Sequence, residues 1–197
     1  MNFSKKISNR LTDIITIELN YNEDKKEILA YAIETALLFM FGLFLIILLG
    51  YFLGALVSTA IAAIFGGILR RVSGGSHFDT PLKCLVFGSI AYSSLGVLAK
   101  MIVEYDLTNK HVLFLGLFIS FLLVAVLAPV DSEAKPIHSS SLKFKLKISS
   151  MVLVIIAFLL ISIVDSKLVV VSVVLGVVYQ SLTLLPIFNR KGGESRL

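Results

Sequence analysis

Charge is scarce in this chain. Only 16% of its 197 residues are Asp, Glu, Lys or Arg, against 57% hydrophobic. A soluble domain rarely goes much beyond half apolar, so this balance, with a mean hydropathy of +0.93, excludes an ordinary soluble fold and puts the chain in a membrane. There is one cysteine, which excludes an intramolecular disulfide. The three histidines, His77, His111 and His138, form no HExxH. That argues against a zinc protease, and no metal or other cofactor is expected. The first 27 residues hold no apolar h-region, so no secretory signal is read and the first hydrophobic run is expected to act as its own insertion signal. The net charge of +5 is modest, and no nucleic-acid partner is expected.

What the chain does have is a series of apolar runs. A helix needs about 20 residues to cross a ~30 Å hydrocarbon core. Ile28 to Leu69 is too long for one span and reads as two, 31–49 and 53–69, with a tight turn near Gly50-Tyr51. Further runs cover 82–99, 110–129, 148–164 and 168–187. The expected fold is all-α: a polytopic bundle of six transmembrane helices over 28–197, preceded by an amphipathic helix over 1–27. In that first helix Ile7, Leu11, Ile14, Ile15 and Ile28 fall roughly on one face, with Lys5, Lys6, Arg10, Lys25 and Lys26 elsewhere. Two readings fit it equally: a helix lying on an anionic membrane surface, or one packed on the bundle or on the mate in a homodimer.

Six spans put both termini on one side. Fifteen of the eighteen Lys and Arg then fall on that side, and Lys100, Lys110 and Lys167 on the other. The positive-inside rule makes the first side cytoplasmic.

The polar loop between the second and third spans runs Arg70-Arg71-Val72-Ser73-Gly74-Gly75-Ser76-His77-Phe78-Asp79-Thr80-Pro81-Leu82-Lys83-Cys84. It is expected to face the cytoplasm or to dip into the membrane from that side, and it carries the only cysteine. Pro81 suits the first turn of a helix, and Thr80 or Asp79 before it is a good N-cap. The third span therefore begins near 81, with Cys84 in its first turn. The positive end of the helix dipole, with Lys83 beside it, favours the reactive thiolate there. His77 lies seven residues earlier, about 10.5 Å of rise on a continuous helix. A loop that turns back instead brings the imidazole within the roughly 3 Å a general base needs, and Gly74-Gly75 supply the freedom for that turn. Asp79 either orients His77 or caps the helix. On spacing alone, a Cys/His peptidase competes with an inert packing cysteine and a merely interfacial histidine.

Arg70-Arg71, Gly75, His77 and Cys84 resemble the core pattern of the accessory gene regulator B (AgrB) family of bacterial quorum sensing. Ala128-Pro129 followed by Lys135-Pro136-Ile137 is similar to that family's cytoplasmic loop, and Thr183-Leu184-Leu185-Pro186-Ile187-Phe188 to its C-terminal end. The resemblance covers essentially the whole chain. It implies a multi-pass cysteine endopeptidase of the bacterial cytoplasmic membrane, acting on an AgrD-like propeptide to make a cyclic autoinducing peptide. By the same resemblance Cys84 is the nucleophile and His77 the general base, with Arg70 and Gly75 supporting the site. One departure is visible: Asp131 and Glu133 precede Lys135 where the family loop tends to be strongly basic.

On this reading Arg71 and the row Lys143, Lys145 and Lys147 are expected to meet the acidic part of the propeptide. The row alternates with Leu142, Phe144, Leu146 and Ile148, which also suits a membrane-surface anchor. The oxyanion donors are expected among backbone N–H groups near residues 83–85. The rival classes are a small peptide transporter, with Glu34, Ser58, Thr59, Tyr179 and Gln180 as its candidate polar groups, and a non-catalytic membrane scaffold.

Overall fold

The computed structural model describes residues 3–16, 22–75, 80–130 and 139–188. Among them are α1 (Phe3–Thr16), α2 (Glu23–Phe52), α3 (Leu56–Ser73), α4 (Pro81–Glu104), α5 (Lys110–Leu127), α6 (Ser140–Ile163) and α7 (Lys167–Leu182), with a closing 3₁₀ turn at Pro186–Phe188 and no strand. The fold class is all-helical, as expected. Helices α2 to α6 each have 18 residues or more and are apolar enough to cross a bilayer. The chain is a multi-pass membrane protein. Helix α7 has 16 residues, a rise of about 24 Å, short of the ~30 Å hydrocarbon core. Its sides are covered by neighbouring helices, and Val171, Ser172, Val173 and Gln180 are fully buried.

Several boundaries differ from the sequence reading. The amphipathic element is not one helix over 1–27. Helix α1 runs Phe3–Thr16, and α2 starts afresh after Asn22, whose side chain accepts from the Lys25 N–H at 3.2 Å. Lys25, Lys26 and Ile28 thus belong to α2. Helix α6 starts well before 148, because Ser139 caps it by accepting from the Leu142 N–H at 3.4 Å. The lysine row is therefore helical. The α2–α3 turn falls at Gly54, where φ is +63°, and Gly50 stays in the helix, buried against Leu56 and Thr59.

Apolar side chains cannot hold these helices together as they would in water, because lipid tails are as apolar as the side chains themselves. Close approach between small residues takes over. A Cβ on Gly176 of α7 would run into the Ala62 backbone of α3, and one on Gly96 of α4 would sit 2.6 Å from the Thr59 nitrogen. The Ser58 hydroxyl donates to the Gly96 carbonyl at 2.8 Å, and the Ser181 hydroxyl to that of Ser120 at 3.0 Å. Helix α1 rests on α2, with the Ser8 hydroxyl donating to the Ala30 carbonyl. The rest of α2 exposes Phe39, Met40, Phe44 and Ile47, a surface suited to lipid. At the end of the bundle away from Arg70, Lys100 donates to the Gly54 carbonyl at 3.3 Å. Lys167 pairs there with Asp106 at 2.5 Å, and this hydrogen bond and charge hold the Asp106 carboxyl below its ordinary value.

The α3–α7 crossing gives a direct test. Gly176→Ala presses on backbone that cannot give way, so it should destabilise the protein by about 1–3 kcal/mol. Gly67→Ala fills open space and should not destabilise it. Thermal unfolding in one detergent, with both variants side by side, checks the contrast.

Candidate active site

Segments far apart in the chain meet where α3 ends. After Ser73, Gly74 has φ +73° and Gly75 φ +143°, values that side-chain-bearing residues rarely adopt. The Ser73 carbonyl accepts from the Val130 N–H at 2.9 Å, just past the cis Ala128–Pro129 bond. The Gly74 N–H donates to the Arg70 carbonyl at 3.0 Å, and the Gly74 carbonyl accepts from Gln180 Nε2 of α7 at 2.8 Å. A Cβ on Gly75 would lie 2.8 Å from Thr183 Oγ1, 3.0 Å from Gln180 Nε2 and 3.4 Å from Arg70 Nη1. Gly75 is therefore the one kind of residue that fits between the end of α7 and the arginine.

Cys84 comes to the same place from α4. Pro81 opens the helix, and Thr80 caps it from extended backbone with φ −128° and ψ 137°. The Thr80 Oγ1 accepts from the Lys83 N–H at 3.4 Å and its carbonyl from the Cys84 N–H at 3.2 Å. The thiol is half-buried, and Arg70 Nη2 donates to its Sγ at 3.3 Å. The rings of Tyr92 and Tyr179 meet edge to face at 5.5 Å. The Tyr92 hydroxyl and Gln180 Oε1 are buried with no hydrogen-bond partner among the described residues.

The structure thus gathers Arg70, Gly75 and Cys84. His77 and Asp79 lie outside the described residues, as does Lys135. Arg71 is exposed and sits over the Phe39 ring of α2, 5.2 Å from its centroid. Lys143, Lys145 and Lys147 occupy the first two turns of α6, which packs on α5, α3 and α7. Of the amides near 83–85 expected as oxyanion donors, that of Lys83 is turned onto the Thr80 hydroxyl and that of Cys84 onto the Thr80 carbonyl. Gln180 and Ser58 were candidates for a polar route, yet both donate to backbone carbonyls of neighbouring segments. Sequence reasoning missed Tyr92, and missed Gln180 as part of this site. The available signal for Gln180 was a long polar side chain in an otherwise apolar helix. For Tyr92 there was none.

Chemically, the site concentrates positive charge around one sulfur. The guanidinium and the positive end of the α4 dipole both favour an anion there.

A family model described as Accessory gene regulator B matches residues 8–184. A Clostridium perfringens protein described as AgrB-like is 27% identical over 93% of this chain and 92% of its own length. One from Clostridium acetobutylicum, also described as AgrB-like, is 23% identical over 92% of this chain and 87% of its own. The accessory gene regulator protein B of Staphylococcus intermedius is 36% identical over 62% of each chain. No solved structure matches.

The arginine–sulfur contact predicts a measurable reactivity. Hydrogen bonds to charged groups contribute about 1.5–3 kcal/mol, or roughly tenfold and upward in a rate. Arg70→Gln should therefore slow alkylation of Cys84 by iodoacetamide at neutral pH about tenfold or more, as followed by intact mass. An unchanged rate would mean that the guanidinium does not stabilise the thiolate.

Proposed function

The chain belongs to the accessory gene regulator B family, and on that premise we propose that it is a membrane-embedded cysteine endopeptidase that matures a quorum-sensing propeptide. The observation that carries this reading is the half-buried Cys84 thiol in the first turn of α4 with the Arg70 guanidinium on its sulfur. The substrate is an AgrD-like peptide held at the cytoplasmic membrane face. Its acidic part is drawn to basic side chains there, Arg71 and the Lys143, Lys145 and Lys147 row, which also anchors α6 at the anionic surface.

In the first step His77 takes the proton from the Cys84 thiol, and Arg70 stabilises the thiolate. The sulfur attacks the scissile carbonyl carbon, the C–N bond breaks, and His77 returns its proton to the leaving amine. The C-terminal fragment departs and an acyl-enzyme thioester remains. In the second step His77, neutral again, takes the proton from a cysteine thiol of the retained peptide. That sulfur attacks the thioester carbonyl, the bond to Cys84 breaks with its sulfur leaving as thiolate, and a thiolactone ring closes.

The second step exchanges one thioester for another and is close to isoenergetic. The first converts an amide into a thioester and is uphill. Hydrolysis must therefore be kept slow, and a half-buried sulfur at the mouth of a helix bundle restricts water. A substrate thiol held beside the thioester gains effective molarities of ~10⁵ M or more. Departure of the C-terminal fragment pulls the sequence forward.

The test is cleavage of the propeptide encoded beside this gene, by purified protein in lipid. Cys84→Ser and His77→Ala should each lower the rate by at least ~10³-fold. Cleavage by Cys84→Ser at the wild-type rate would refute the scheme.

A further inference from the structure

We infer that Gln180 is a positioning residue for the active-site arginine, acting through the Gly74–Gly75 turn. The inference deepens the reading above, on which its consequence for cleavage rests. Gln180 has no exposed surface and sits in the last, mostly apolar helix. Its Nε2 donates to the Gly74 carbonyl at 2.8 Å, across a sequence separation of 106 residues. Its Oε1 has no hydrogen-bond partner among the described residues. Leaving a buried amide oxygen unpaired is unfavourable. Packing alone would be served as well by leucine, so the donor at this position answers a need of the Gly74 carbonyl.

That carbonyl stands at the start of a short chain of contacts. It belongs to the turn whose next residue, Gly75, leaves open beside Arg70 Nη1 the space a Cβ would enter, 3.4 Å from that nitrogen. The Gly74 N–H is tied back to the Arg70 carbonyl at 3.0 Å. The other terminal nitrogen of Arg70 donates to Cys84 Sγ at 3.3 Å. Without Gln180, the Gly74 carbonyl keeps only the longer bond from the neighbouring Ser73 hydroxyl, at 3.2 Å, and loses its tie to α7. The turn then shifts, and the wall that holds the guanidinium on the sulfur moves with it. Thr183 Oγ1, which donates to the Gln180 carbonyl at 2.7 Å, braces the same wall from one turn further along. Because Gln180 is wholly buried, substrate does not reach it, and its effect is exerted through Arg70.

The experiment is a double-mutant cycle on the full-length protein in lipid, with two readouts: the rate of Cys84 alkylation by iodoacetamide against pH, and kcat and KM for propeptide cleavage. Gln180→Leu should slow alkylation and lower kcat by about tenfold while leaving KM unchanged. In an Arg70→Gln background it should add little, because the residue through which it acts is gone.

Gln180→Glu keeps the shape and covers the case in which the leucine variant does not fold. Its carboxyl donates to Gly74 when protonated and repels that carbonyl when ionised. Its activity relative to wild type should therefore recover as pH falls, and burial moves that transition toward neutrality. Wild-type alkylation and kcat in Gln180→Leu, full additivity with Arg70→Gln, or a pH-independent ratio for Gln180→Glu would each overturn the inference. The alkylation arm needs no peptidase activity. A wild-type protein that cleaves nothing overturns the peptidase reading alone, and the cycle in alkylation rates still decides whether Gln180 acts through Arg70.

Discussion

A backbone carbonyl that leaves its helix inside an apolar bundle has no water to turn to and must be given a donor. At the end of α3 this happens twice in succession. The Ser73 carbonyl is met by the Val130 N–H, and the Gly74 carbonyl by the side chain of Gln180. These two bonds join the ends of α3, α5 and α7 at one place, and the arginine one turn back from Gly74 is thereby aimed at the start of α4. The position of Cys84 relative to a positive charge follows from how the bundle satisfies its own backbone.

The same logic governs the interior. Association of helices in lipid relies on close approach and short polar contacts, and here the closest crossings run through Gly176 against Ala62 and Gly96 against Thr59. Two kinds of glycine matter here. Gly50, Gly66, Gly96 and Gly176, in the helices, make room for a neighbour. Those at 74 and 75 adopt positive φ, and at 75 the missing side chain also leaves space for Thr183, Gln180 and Arg70. A substitution of the first kind loosens the bundle, whereas one at Gly75 pushes on the arginine beside the thiol.

Much of this could be read from the residues alone, for identifiable reasons. Hydropathy is a strong signal, so the all-helical membrane class was legible, as was the start of α4, where Thr80-Pro81 is a local cap pattern. The limits of the N-terminal helix were not. Amphipathic periodicity continues from Ile15 to Ile28 across the break that Asn22 imposes. The lysine row fell outside the span expected over 148–164 because charge marks the end of an apolar run, whereas Ser139 starts α6 ahead of it. At the site, Arg70, Gly75 and Cys84 were legible through the family pattern. Gln180 stood out only as a polar residue in an apolar run, and nothing local says that its partner is a carbonyl in another part of the chain. Of the amides expected to serve as oxyanion donors, the one at Lys83 is taken by the same cap that places Cys84.

The chemical account stands or falls on whether the Cys84 sulfur becomes acylated. The direct measurement is rapid-quench intact mass of the purified protein mixed with its propeptide at a pH where thioesters survive. The account predicts a transient species heavier than the free protein by the N-terminal part of the peptide. Hydroxylamine should remove it, and it should build up further when the peptide's ring-forming cysteine is replaced by alanine. Cleavage that proceeds at full rate with no such species at any time, or an adduct that persists in Cys84→Ala, would contradict it.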